Sequence, residues 1–185
     1  MNAIFLIHAP PRIHAGTNSF HTMPPAKTLP CRIALASFAV AAPAASMSAS
    51  FDFSLNGQNV RVENLSPNTT LLEFLRATGR TGTKEGCAEG DCGACSVAII
   101  ESDARGKKTF RAINSCLIPI CLLAGREVIS VEGVACGAKL HPVQQKMVEG
   151  HGSQCGYCTP GFIMSLFEGY YRDDLTTAEQ LDDQL

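Results

Sequence analysis

The chain has 185 residues, of which 45% are apolar and 17% charged, a balance that fits one globular domain or two small ones and excludes disordered and collagen-like classes. The formal net charge of -2 hides an asymmetry: residues 1–50 carry Arg12, Lys27 and Arg32 and no acid, so the rest of the chain sets 12 bases against 17 acids. A body this acidic, with no basic stripe interleaved with aromatics, speaks against nucleic-acid binding and for a protein partner.

Residues 1–48 hold six of the ten prolines and no lasting period of 2 or 3.6, and are read as an unstructured leader. The apolar run 33–45 follows Lys27 and Arg32 in the manner of a late signal-peptide core. It is too short to span a bilayer, and its charges lie far from the terminus, so a start-site artefact with Met47 as initiator is the preferred reading. From Phe51 the pattern becomes regular. Phe51, Phe53 and Leu55 alternate with polar residues, Asn56-Gly57 is a turn signal, and Val60 and Val62 alternate again, which predicts a β-hairpin. Thr70 and Glu73 form a capping box that opens a short helix through Leu71, Phe74 and Leu75, and Gly79 stops it.

A glycine-rich loop, 82–95, comes next. Strands are predicted over 96–101, 109–113 and 127–132, with a turn at 103–106, so that strands around one helix make a small α+β sheet. After Gly137 the period becomes helical. Pro142 suits a first helical turn, Thr159-Pro160 offers another start, and Thr176 with Glu179 reads as a second capping box. The chain reaches Leu185 inside a predicted helix with no terminal cap, and so reads as cut short.

Nine cysteines, an odd number, argue against a fully paired secreted framework and for thiolates in a reducing compartment such as the cytoplasm. Cys87-x4-Cys92-x2-Cys95, followed at a distance by Cys116, is the plant-type [2Fe-2S] spacing, in which one loop supplies three thiolates and a remote segment the fourth. Such a cluster carries a charge of about -2 on its thiolates and sulfides, and backbone N–H groups must point at sulfur to stabilise it. Gly82, Gly86, Gly90 and Gly93 give the loop that freedom, and Ala88 and Ala94 keep its wall small. A structural zinc site on the same cysteines is the plain alternative. Zinc ribbons pair two C-x2-C knuckles at about 15–20 residues, whereas 59 residues separate Cys95 from Cys155.

Cys155-Gly-Tyr-Cys158 is a second thiolate pair, placed where a helix begins at Thr159-Pro160; the helix dipole there favours a thiolate or an anionic cluster. A thioredoxin-like motif competes, but no βαβ unit surrounds it. Two ligands are half of a four-thiolate shell. Cys31, Cys121 and Cys136 lack partners at useful spacing and read as small buried apolar residues. His141 and His151 flank a helix and read as structural, and the acidic pairs Asp173-Asp174 and Asp182-Asp183 as solvated charge or helix-dipole partners. No GxGxxG after a strand, P-loop or catalytic Ser/His/Asp context occurs, so the chain reads as a carrier of electrons.

At Gly82-Thr-Lys-Glu-Gly-Cys-Ala-Glu-Gly-Asp-Cys-Gly-Ala-Cys95, Asn114-Ser-Cys-Leu117, Leu140-His-Pro-Val-Gln144 and Gly152-Ser-Gln-Cys-Gly-Tyr-Cys-Thr-Pro-Gly161, the sequence resembles the iron-sulfur part of the xanthine dehydrogenase family. The resemblance covers about residues 50–185, with the four motifs in family order. It implies a β-grasp ferredoxin-like domain over 49–135 and, over 137–185, an incomplete α-helical domain for a second [2Fe-2S] cluster. It further implies that Cys155 and Cys158 match half of that cluster's ligands, and that Gln154 matches the position approaching a molybdopterin cofactor. Electrons would pass from molybdopterin through both clusters to FAD, on partner domains or subunits. The family's second ligand pair, a Cys-x-Cys beyond the next helix, has no counterpart in the 27 residues after Cys158. Three competing readings are the small subunit of a related aldehyde, carbon monoxide or heterocycle oxidoreductase, a free-standing ferredoxin, and a zinc-stabilised interaction module.

Overall fold

The computed structural model describes residues 50–102 and 106–185. The leader, Cys31 and most of the turn at 103–106 therefore lie outside the described residues. Asn56 and Gly57 both take positive φ, 54° and 75°, the mirror-image turn geometry that matches strand twist. They close β1 (Phe51–Leu55) on β2 (Gln58–Val62) antiparallel, with Leu55 opposite Gln58. Helix α1 (Leu71–Ala77) opens on the expected box: Glu73 N donates to Thr70 Oγ1 at 3.2 Å and Thr70 N donates to Glu73 Oε2 at 2.7 Å, a pair that stabilises a helix start by about 1 kcal/mol.

Strands β3 (Ser96–Ser102) and β4 (Lys108–Asn114) pair antiparallel, and β5 (Glu127–Ile129) lies between β3 and β1, parallel to β1. The sheet order is β2-β1-β5-β3-β4. The third predicted strand ends at Ile129, earlier than expected. Asn56 explains this: its Oδ1 accepts from Ser130 N at 2.8 Å and its Nδ2 donates to Ser130 Oγ at 2.9 Å. That pulls the backbone off the ladder and into the short 3-10 turn Val131–Gly133.

Side chains alternate across the sheet with the strand period of 2. Val97, Ile99 and Val128 face α1 and form one core with Phe53, Leu55, Leu71 and Leu75. Ala98, Phe110 and Ile129 face the other way, where they meet Ile163, Met164 and Phe167. These last belong to α3 (Thr159–Tyr171), which follows α2 (Pro142–Glu149). The helical segment thus supplies the second face of the ferredoxin-like sheet. Strands β2 and β4 are the sheet's two edges, and Glu168 of α3 engages an amide of β4 by accepting from Ala112 N at 2.8 Å.

Two expectations at the C-terminal end are corrected. The last helix, α4 (Ala178–Asp183), is capped by Thr177 with Gln180, one residue later than Thr176 with Glu179. Gln180 has the reach to accept from both Thr177 N and Thr176 N through one oxygen. The chain also leaves the helix before Leu185: Asp183 is the last helical residue, and the Gln184 carbonyl accepts from Ser165 Oγ at 2.5 Å. Among the described residues, no helix is long and apolar enough to cross a membrane.

His141 is structural, as expected, and its tautomer follows from its bonds. Val143 N donates to His141 Nδ1 at 3.3 Å, so the ring proton resides on Nε2, 3.1 Å from the Tyr171 hydroxyl. The ring caps α2 and packs between Phe167 and Tyr170, with centroids 5.1 Å and 5.0 Å away. Burial pushes its pKa down to about 4 from an ordinary 6.5. Between these values the unfolded chain binds a proton that the folded chain refuses, so stability is complete above pH 6.5 and is lost as pH falls toward 4. Urea unfolding midpoints should fall across that window, and His141→Asn, which keeps a capping side chain, should lose His141's share of the slope. Equal slopes in the two proteins would contradict it.

Candidate metal centre

Strand register brings the remote cysteine to the loop. Ser96 lies opposite Asn114 in the β3–β4 pair, so Cys95, just before β3, and Cys116, just after β4, emerge side by side. Ser115 fastens them: its N and Oγ both donate to the Cys95 carbonyl, at 3.3 and 2.7 Å. Cys95 and Cys116 are both buried. The other end of the loop is fixed by Gly82 N donating to Glu132 Oε1 at 2.8 Å and Lys84 N to the Ala94 carbonyl at 3.2 Å. Asn114 Nδ2 donates to the Gly90 carbonyl at 2.6 Å and ties the loop's crest to β4.

Inside the loop, amides turn toward sulfur. The N–H groups of Glu89, Asp91 and Cys92 point at Cys87 Sγ from 3.5, 3.3 and 3.3 Å, and Cys87 N donates to Cys92 Sγ at 3.3 Å. These donors, Glu89 N–H foremost, hold the Cys87 thiol down to about 6, as hydrogen bonds to the charged form do. Cys116 is the opposite case. Burial first, then the neighbouring Cys95 thiol, pushes it up to about 11. The site therefore has an outer pair, Cys87 and Cys92, whose sulfurs accept backbone N–H groups, and a dry inner pair, Cys95 and Cys116.

The glycines divide their work differently from expectation. Gly90 and Gly93 take positive φ, but Gly82 and Gly86 do not; the remaining left-handed position is Ala88, at 58°. No sequence signal marks an alanine for that conformation. Gly86 is needed for space: a Cβ there would stand 2.6 Å from Cys92 Sγ. Among the described residues, no group of three or more His, Cys, Asp or Glu side chains is gathered to hold a single metal ion.

Cys155 and Cys158 lie on an exposed turn leading into α3, with Cys158 as its N-cap and Gln154 exposed beside them. The structure brings this turn against the first loop, where the Tyr157 hydroxyl donates to the Glu85 carbonyl. That contact was not anticipated from the sequence. The expectation for Cys121 is corrected: it is exposed, not buried, because the 3-10 turn Ile120–Leu123 buries its apolar neighbours Ile120 and Leu123 instead. Cys136 is half-buried.

Comparison with known proteins gives this geometry its context. Residues 53–121 match the model of the 2Fe-2S iron-sulfur cluster binding domain, and residues 130–185 that of the [2Fe-2S] binding domain. Xanthine dehydrogenase of Emericella nidulans is 48% identical over 116 residues, 62% of this chain and 8% of that protein. Xanthine dehydrogenase/oxidase of Rattus norvegicus is 45% identical over 132 residues, 70% of this chain and 10% of that protein. The chain belongs to the xanthine dehydrogenase family. It corresponds to the family's iron-sulfur, electron-transfer region and spans about a tenth of the length of these relatives.

Solved structures agree on the fold. Quinoline 2-oxidoreductase of Pseudomonas putida 86 superposes with a TM-score of 0.64 at 27% identity, over 75% of this chain and 80% of that one. Aldehyde oxidoreductase of Desulfovibrio gigas superposes at 0.63 and 31% identity, over 73% of this chain and 14% of that one. Gly86→Ala should displace Cys92 and remove most of the bound iron and visible absorption, whereas Gly79→Ala, which strains a left-handed φ of 81° but whose methyl meets nothing within 4 Å, should cost about 1 kcal/mol of stability and keep both. Iron and acid-labile sulfide assays on the purified variants make the comparison.

Proposed function

We propose that Cys87, Cys92, Cys95 and Cys116 ligate a plant-type [2Fe-2S] cluster, and that the chain relays electrons from a molybdopterin centre to FAD in a xanthine dehydrogenase-like molybdenum hydroxylase. The observation that carries this reading is the set of three amides on Cys87 Sγ beside a buried Cys95–Cys116 pair. When bound, the cluster supplies storage for one electron at a negatively charged centre. The chain's own part is to hold the thiolates in two pairs, aim N–H dipoles at the outer pair and keep water from the inner one. A four-thiolate zinc site needs its ligands around one point, whereas thiolates in pairs suit two irons.

Cys155 and Cys158 form half of a second site, and exposed Gln154 is the residue proposed to meet molybdopterin. Molybdopterin and FAD belong to other domains or subunits. The acidic body suits such a protein partner rather than a nucleic acid, and Cys87, Cys92, Cys95, Cys116, Cys155 and Cys158, none of them in a disulfide, suit a reducing cytoplasm. The 80% coverage of the quinoline 2-oxidoreductase chain favours a second reading, the small iron-sulfur subunit of a related aldehyde or heterocycle oxidoreductase. A free-standing ferredoxin is less well supported, because α3 supplies one face of the sheet.

Electron paramagnetic resonance of the reduced protein tests the ligand set. The 185-residue polypeptide should show one plant-type signal with about two irons per chain, and Cys92→Ser should abolish that signal while circular dichroism retains the helices. Zinc in place of iron, or about four tightly bound irons with two distinct signals, would refute it.

A further inference from the structure

The two cysteine loops meet backbone to backbone, and one residue makes this possible. Gly161 stands three positions after Cys158, on the first turn of α3, and packs against Gly93, the neighbour of Cys92. A Cβ on Gly161 would lie 2.4 Å from the Gly93 carbonyl oxygen, 3.0 Å from its carbon and 3.3 Å from Ala94 Cα. All three atoms are backbone, so no flexible side chain can yield to it. A second, independent contact lies alongside: the hydroxyl of Tyr157, next to Cys158, donates to the carbonyl of Glu85, two residues before Cys87. The body of α3 is pinned, since Glu168 is bonded to Ala112 N and Ile163, Met164 and Phe167 are buried against the sheet, so a wedge at residue 161 tilts the start of the helix rather than sliding the whole of it.

From these contacts we infer that Gly161 is the positioning residue that sets the separation between the two sulfur sites, with Tyr157 as the latch that holds it. The inference rests on the proposed cluster-binding role and adds to it the determinant of electron transfer between the sites. In such an exchange one site loses an electron and the other gains it, with no bond made or broken. Its rate falls exponentially with separation, so a residue that fixes the gap governs the rate without touching either thiolate shell. Any side chain at 161 wedges α3 away from Gly93 and carries Cys158 with it. Ordinary contact begins at 3.4 Å, so an alanine moves the helix start by about 1 Å. Leucine moves it further.

The test reads the gap itself. Cys31, Cys121, Cys136 and Cys155 are replaced by serine in the 185-residue polypeptide, Cys158 is labelled with a nitroxide, and pulsed dipolar electron paramagnetic resonance measures the distance from the label to the reduced cluster. Gly161→Ala should lengthen the mean distance by about 1 Å, and Gly161→Leu by more. The cluster's own signal and the iron content should not change. Tyr157→Phe should broaden the distribution with Gly161 intact. Unchanged distances in folded Gly161 variants would overturn the inference. If neither Gly161 variant folds, Tyr157→Phe decides, an unbroadened distribution overturning it. A parent protein with no cluster signal would refute the ligand assignment instead, and nitroxides on Cys92 and Cys158, both exposed, would then measure the same gap.

Discussion

The site depends on the pairing of β3 with β4. Because Ser96 lies opposite Asn114, two cysteines 21 positions apart leave the sheet at one place, and Ser115 locks them together through the Cys95 carbonyl. A slip of one residue in that register would turn every side chain of one strand to the other face, burying polar groups and parting Cys95 from Cys116. The hairpin's apolar alternation and the sulfur pairing are therefore one requirement. The same hairpin carries Ala98 and Phe110 into the core shared with α3, so packing on both faces enforces the register the inner thiols need.

That sharing changes how the helical segment is understood. Two sequence families meet in this chain, yet Phe167 packs on Phe110 with ring centroids 4.9 Å apart and on Tyr171 at 5.1 Å, pairs worth about 1 kcal/mol each beyond burial. Helix α3 is thus seated as firmly as a core element. A polar contact supports its seat from outside, where Glu168 accepts from Ala112 N of β4 at 2.8 Å.

Much of this was legible in the sequence because it rests on local chemistry. Asn56-Gly57 and the Thr70–Glu73 box announce themselves by residue type, and the cysteine spacing points to the 2Fe-2S domain whose model matches residues 53–121. Two of the failures share a cause, a partner distant in sequence. Nothing near Ser130 reveals that Asn56, 74 residues away, will end β5 there. The contact of Tyr157 with Glu85 joins residues 72 apart. Ala88 is a different case, since its left-handed φ is imposed by amides converging on Cys87, a geometry that propensity alone assigns to glycine. The displaced cap at Thr177 reflects the choice between two adjacent threonines with acceptors of similar reach.

The unequal burial of the four sulfurs makes the centre polarised. Cys92 is exposed and Cys87 half-buried under a canopy of N–H dipoles, while Cys95 and Cys116 are enclosed near Leu72. Added negative charge is best tolerated where donors and water are at hand, which is the outer end. In the proposed cluster an added electron would rest there, near the surface and close to the rim around Glu89 and Asp91, with the buried Cys95 and Cys116 behind it. The proposed relay would thereby use one rim of the molecule, the same rim to which the turn bearing Cys155 and Cys158 is fastened by Tyr157.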